Sequence, residues 1–179
     1  MMDFSGKVAL ITGGSRGIGK ATAILFARLG GTVVINYLNN ASAGKQVVEE
    51  IESAGGKAMS LACNVSDLEQ VTKMVDMILK QFDRIDILVN NAGVWLPSSI
   101  RQFDFAAYER TLAVNLTGCV NCCTAVVPGM IEQRGGRIIN VASTAGQRGE
   151  AGYSPYAASK GAIISFTKSL AAELAAENI

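Results

Sequence analysis

The chain has 179 residues, 49% of them apolar, with a net charge of +1 and no histidine. That length suits one domain with a sizeable core. Near-neutral charge and the lack of any basic cluster argue against a polyanion-binding surface, so nucleic acid is not an expected partner. Without histidine, acid–base chemistry falls to Tyr, Lys, Asp or Glu.

No segment reads as a transmembrane helix or a signal peptide, so a cytoplasmic location without a membrane partner is expected. Cys119, Cys122 and Cys123 lie inside a long apolar helical run, and Cys63 stands apart. Buried reduced thiols are the favoured reading, and no metal site is expected.

The elements alternate. Residues 7–12 read as a buried strand, followed by a Gly-rich loop and a helix over 17–29. A second strand spans 32–37, and a polar-faced helix spans 41–54 with a Gly55-Gly56 stop. A third strand spans 57–63. Ser66 is expected to cap a helix through Phe82, with Glu69 completing a capping box. A fourth strand spans 85–90, a loop spans 93–102, and a long helix runs over about 104–133. A fifth strand spans 137–142, then a Gly-rich loop spans 144–154, and a last helix runs over about 156–177. This β-α alternation implies an α/β, Rossmann-type doubly wound parallel sheet in the order 3-2-1-4-5, one domain over residues 1–179.

The loop after the first strand carries Gly13, Gly17 and Gly19. Glycines there let the backbone approach a pyrophosphate, and the following helix N-terminus offers N–H donors. Beyond the second strand no Asp or Glu appears from Gly31 to Val48, and Asn36 holds the position expected to face a ribose. Arg16 in the Gly loop could pair with a 2′-phosphate. NADP(H) is therefore favoured over NAD(H).

Asn90-Asn91-Ala92-Gly93 ends the fourth strand, beside the point where strand order reverses and ligands bind. Asn115 interrupts an apolar stretch, and a buried amide is costly unless satisfied. It either bonds a neighbouring carbonyl or holds water near the site. Ser143 follows the fifth strand directly, where a hydroxyl could bond a substrate oxygen. Tyr156 and Lys160 stand four apart on a helix, so they share a face. A nearby cation favours phenolate over phenol, and a phenol so tuned can exchange a proton with a substrate oxygen. Together these residues converge on one crevice and on hydride transfer between a nicotinamide and a carbonyl or alcohol carbon.

The sequence resembles the short-chain dehydrogenase/reductase family, single-domain subclass. The run from Thr12 to Gly19 matches the TGxxxGIG motif, and Asn90-Asn91-Ala92-Gly93 matches NNAG. Asn115, Ser143, Tyr156 and Lys160 match the catalytic tetrad. The likeness is greatest to the group of 3-oxoacyl-(acyl-carrier-protein) reductases and glucose dehydrogenases. It implies Tyr156 as general acid or base and Lys160 as its electrostatic aid and ribose ligand. It implies Ser143 as the group orienting the carbonyl and Asn115 as the holder of a relay water. It places Gly13, Ser15, Arg16, Ile18, Asn91, Ala92 and Gly93 along the cofactor. Asn64-Val65 stands where the family often has Asp-Val near the adenine, so a weaker contact is expected there.

Residues 94–105 lack the pattern of the acyl-carrier-protein reductases, although Trp95 to Ile100 hints at an apolar wall. Family members continue into a sixth strand, a lid and a seventh strand that this sequence does not contain. The 179-residue piece is therefore expected to be poorly soluble and weakly active. The last two long helices are apolar on more than one face, which implies a homodimer or homotetramer built through them. The expected substrate is a ketone or secondary alcohol. The alternative is a catalytically silent nucleotide-binding module, and a nucleotide-sugar epimerase or dehydratase is disfavoured by the Gly spacing.

Overall fold

Val8–Ile11 (β1) is apolar throughout and buried at every position, which marks a strand covered on both faces. In the computed structural model, which describes residues 2–179, β1 is the centre of the sheet. It is followed by α1 (Gly17–Arg28), β2 (Thr32–Tyr37), α2 (Ala41–Ser53), β3 (Lys57–Ala62), α3 (Leu68–Phe82) and β4 (Ile87–Asn90). Then come α4 (Phe105–Leu112), α5 (Gly118–Glu132), β5 (Arg137–Asn140), α6 (Ala145–Arg148) and α7 (Ser154–Leu174). All pairings are parallel and the order is β3-β2-β1-β4-β5, as expected for a doubly wound sheet.

Alternation along the strands sorts the core into two layers. Leu10, Val34 and Leu88 face α3 and α5, where Val75, Ile78, Cys122 and Met130 meet them. Ile11, Val33, Ile35 and Val89 face α1 and α2, against Ala23, Ala27, Val47 and Ile51. Each Val, Leu, Ile or Met among them contributes about 1.5–3 kcal/mol on burial. At the other end of the strands from the glycine loop, buried Asp86 accepts from the Val8 N–H at 3.0 Å and from Lys7 and Arg84. Burial alone would raise this carboxyl. The Arg84, Val8 and Lys7 bonds outweigh it and hold the group below the ordinary carboxylate range.

Several local details differ from the sequence expectation. The N-cap of α3 is Asp67, not Ser66: Asp67 accepts from the Gln70 N–H at 3.1 Å, and the Gln70 side chain donates back at 2.8 Å. Ser66 instead donates to Asn64. The long helix is not uniform, because Ala113–Thr117 forms a π turn between α4 and α5. The Gly-rich loop after β5 contains α6. By length and composition, the continuous helical run Phe105–Glu132 could cross a membrane, at a mean hydropathy of 1.4, contrary to the sequence reading. In the fold, 44% of that apolar window is buried, with Cys119, Cys122, Val126 and Met130 turned into the core beneath the sheet.

α7 buries Ile163 and Leu174 and presents small residues such as Ala158, Ser165 and Ala172 to solvent. β5 is the sheet edge, and Ile139 on it is 47% exposed. The four thiols are buried and reduced. Burial, with the Asp67 charge added, pushes Cys63 up to about 11, and burial likewise raises Cys122. Cys63 and Cys122 are therefore packing residues rather than nucleophiles. Among the described residues, no group of three or more Cys, Asp or Glu side chains could hold a metal.

Candidate active site

Thr12 is the knot from which the site is built. Its buried hydroxyl donates to the Val89 carbonyl at 3.3 Å and accepts the N–H groups of Asn91 and Ala92, each at 3.0 Å. The Asn91 amide returns to the carbonyls of Thr12 and Gly13, at 2.9 and 3.2 Å. The loop after β1 and the loop after β4 are thereby locked side by side. Gly19 permits this packing, because a Cβ there would stand 2.5 Å from both Asn91 Nδ2 and the Gly13 carbonyl oxygen.

Beyond the strand ends lies a cleft of about 590 Å³. Gly13, Ser15, Arg16, Gly17 and Ile18 line it from the first loop, and Asn91, Ala92 and Gly93 line it from the fourth strand's end. Asn36, Asn64 and Val65 close it from β2 and the end of β3. Gly19, the remaining residue of the expected set, lies buried behind the loop. No side chain caps α1, and its first turn carries no acidic residue, so its N-terminal N–H groups face the cleft uncommitted. This donor set fits a pyrophosphate. The lining contains two arginines, Arg16 and Arg110, and no carboxylate.

Asn36 is buried rather than turned outward. Its Oδ1 accepts the Gly13 N–H at 3.2 Å, and its Nδ2 donates to the carbonyls of Cys63 and Tyr37. The amide holds the glycine loop to β2 and β3. Leu38 and Asn39, just past it, form the exposed rim at the end of β2. Asn64 is likewise engaged, with its Oδ1 accepting from the Ser66 N–H and hydroxyl.

Asn115 occupies the middle of the π turn, a helix irregularity frequent at functional sites. Its Oδ1 accepts from the Val94 N–H, and its Nδ2 donates to the Val94 carbonyl and to the Ser159 hydroxyl. Ser159 donates onward to the Tyr156 carbonyl at 2.7 Å. The amide therefore bonds a neighbouring carbonyl, as one of the two sequence options required. It also lines, with Asn90 and Lys160, a small internal cavity of about 10 Å³. Asn90 Oδ1 is buried there without a protein partner.

Lys160 is buried and donates to the Val141 carbonyl at 2.6 Å. Burial pulls its ammonium below the ordinary lysine range. Its Nζ lies 6.0 Å from the centre of the Tyr156 ring. On the other side, it lies 3.8 Å from where a Cβ on Gly93 would stand, at the wall of the cleft. Tyr156 is half-buried in the first turns of α7. The Ser143 hydroxyl oxygen accepts the Ala145 N–H at 3.1 Å, which fixes it at the start of α6. α6 packs against α7 through Gly146, where a Cβ would stand 2.5 Å from the Lys160 carbonyl carbon. That close approach brings the Ser143 segment to the helix that carries Tyr156 and Lys160.

The short chain dehydrogenase family profile matches residues 7–179. This chain belongs to that family. It is an oxidoreductase by membership, and every strand and helix named above falls within the match. The 3-oxoacyl-(acyl-carrier-protein) reductase of Synechocystis is 41% identical over 179 residues, covering 100% of this chain and 72% of the relative. The enzyme of the same name from Thermotoga maritima is 41% identical over 178 residues, covering 99% of this chain and 72% of the relative. The crystal structure of an NAD+-bound xylitol dehydrogenase superposes with a TM-score of 0.95 at 37% identity, covering 98% of this chain and 68% of that one.

Three relationships at the site are not legible in the sequence. Thr12 was visible as the first residue of its motif, but its hydroxyl's three partners were not. Ser159 links Asn115 to Tyr156 and lies inside the Tyr-x-x-x-Lys run. The third is a stack of Trp95 on Tyr153, with ring centres 4.5 Å apart, which no local sequence signal announces.

Proposed function

We propose that the chain reduces a ketone, or oxidises the matching secondary alcohol, with NADP(H) and with Tyr156 as the proton-transfer group. The observation that carries this reading is the position of Lys160. It reaches the cleft wall at Gly93 on one side and the Tyr156 ring on the other. When bound, the nicotinamide supplies or accepts the hydride at the carbonyl carbon. The remaining work belongs to this chain's side chains. Tyr156 gives its proton to the carbonyl oxygen in reduction and takes it back in oxidation. Ser143 already accepts from Ala145, so its own O–H is left to donate to the same oxygen. Lys160 stands beside the Tyr156 ring and can donate to ribose hydroxyls at Gly93. Asn115 holds Val94, and with it the wall between cleft and catalytic helix.

The cofactor's phosphates would lie on the first turn of α1, with Gly13, Ser15, Gly17 and Ile18 around them. Arg16, with no carboxylate opposite, supports a 2′-phosphate and hence NADP(H). Asn64 and Val65 would flank the adenine, and Asn91, Ala92 and Gly93 the nicotinamide side. A homo-oligomer through α5 and α7 accords with their small, apolar outer positions. The names of the relatives make a 3-oxoacyl thioester the first substrate to try.

The test is direct. Following absorbance loss of NADPH against a carbonyl panel should show turnover. Tyr156→Phe should lower kcat by about 10²–10⁴-fold while NADPH still binds. Binding of NADPH without turnover of any carbonyl would return the chain to the silent-module alternative.

A further inference from the structure

Trp95 is the chain's only tryptophan, and it stands 56% exposed beside the catalytic helix. It is not a stray apolar side chain. Its ring lies on that of Tyr153 at 4.5 Å and 13° between planes. Its indole N–H donates to the Glu150 carboxylate at 3.3 Å. The two segments are fastened further by buried Ser98, whose N–H donates to the Gly152 carbonyl at 2.9 Å. Ser98 also pairs with Tyr153 in an isolated parallel bridge.

Both segments lead into the site. Trp95 follows Val94, which lines the cleft and is held twice by Asn115. Tyr153 is the N-cap of α7, three residues before Tyr156. A large indole fixed at both its face and its N–H, yet left with its outer face in water, is a prepared surface.

We propose that the outer face of Trp95, backed by Tyr153, is the wall on which the substrate group beside the carbonyl lies. It selects a flat, uncharged aryl or conjugated ketone. This rests on the reductase reading above. A rigid planar face contacts a planar group over its whole area, whereas a flexible alkyl chain must lose rotamer freedom to lie on it. The Glu150 carboxylate at the indole edge disfavours a substrate that carries its own carboxylate there.

The test uses the full chain with NADPH and three ketones: an aryl methyl ketone, a methyl alkyl ketone of equal carbon count, and an aryl keto acid. The expected result is a preference of about tenfold in kcat/KM for the aryl over the alkyl ketone. Trp95→Ala should abolish that preference through KM, Trp95→Phe should keep part of it, and Glu150→Gln should improve the keto acid. Should Trp95→Ala melt early, Trp95→Phe and Tyr153→Ala carry the comparison. Because no other tryptophan emits, titration of the aryl ketone should quench the fluorescence of the wild-type chain. Turnover without aryl preference, or a preference that survives Trp95→Ala and Tyr153→Ala, overturns the wall and leaves the reductase reading standing. Absence of NADPH consumption with every carbonyl overturns the reductase reading instead. Fluorescence then reads the aryl-binding face alone: saturable quenching by the aryl ketone and not by the alkyl ketone supports it, and unchanged emission or quenching that never saturates overturns it.

Discussion

Asn115 and Val94 form a reciprocal pair: the amide oxygen accepts the Val94 N–H at 2.8 Å, and the amide nitrogen donates to the Val94 carbonyl at 3.0 Å. A helix side chain thus satisfies both backbone groups of a loop residue in the cleft wall. Asn115→Ala strips both partners from Val94 and one from Ser159. Leaving these part-buried backbone groups unpaired should cost about 1–3 kcal/mol, with melting lowered by about 2–12 °C. Turnover should fall further than the folded fraction, because Ser159 no longer ties the π turn to the Tyr156 carbonyl. Thermal melts alongside kcat at a temperature where both proteins are folded separate the two effects. A variant of unchanged melting temperature would contradict the structural role.

Cofactor choice should reside in Arg16 and in the rim at the end of β2, not in Asn36. The Asn36 amide has both its donors committed inside the fold. Arg16→Ala should weaken NADPH about 10–100-fold in KM and leave NADH within about twofold, since a guanidinium–phosphate pair is at stake. Leu38 is 50% exposed and lines the cleft. Leu38→Asp places a carboxylate where it repels a 2′-phosphate and can accept from a ribose 2′-OH. It should shift the kcat/KM ratio towards NADH. Parallel kinetics with the two cofactors read both effects, and an unmoved ratio in both variants would remove the assignment.

The sheet was legible because its strands are continuous apolar runs between Gly-rich stops, so both ends of β2 match the expectation. The strand-end positions of Asn90 and the Gly13 loop followed from topology, whereas β5 stops at Asn140, so Ser143 lies three residues beyond the strand rather than directly after it. What the sequence withheld were choices between near-equal local options. Ser66 and Asp67 are both good caps, and the reciprocal Gln70 side chain decides for Asp67. The direction in which Asn36 points depends on the Gly13 N–H and the Cys63 carbonyl arriving from other elements. The π turn at Asn115 is one extra residue in a helix, and the Val94 backbone it serves lies far back in the chain. The Trp95–Tyr153 stack is a tertiary contact between two loops that carry no periodicity.

Asp86 should govern the acid limb of stability. Its folded pKa lies below the unfolded value, which for an aspartate is about 3.9. Between those two values the unfolded chain binds more protons, so stability rises with pH there. The contribution is complete above about pH 4 and is lost as pH falls through the folded pKa. Asp86→Asn should flatten this part of the curve. At neutral pH it should cost about 1–3 kcal/mol, since the Val8 N–H, Lys7 and Arg84 lose a charged acceptor. Denaturant titrations from pH 2 to 7 would check both. An unchanged acid limb in the variant would assign acid sensitivity to other carboxylates.

Lys160 should act with the same sign, at the alkaline end. Burial sets its folded pKa below the unfolded lysine value of about 10.4. In the window between the two, the unfolded chain again holds the extra proton, so stability climbs as pH rises towards 10.4. Below the folded pKa the buried ammonium is a standing cost, offset in part by its 2.6 Å bond to the Val141 carbonyl. That cost is consistent with a cation kept beside Tyr156 for chemistry rather than for the fold. Lys160→Met should therefore abolish the alkaline rise in stability and, separately, turnover. Melting temperatures between pH 7 and 10.5 for both proteins give the comparison. A Lys160→Met chain that still gains stability with the wild-type slope would show that another group carries the titration.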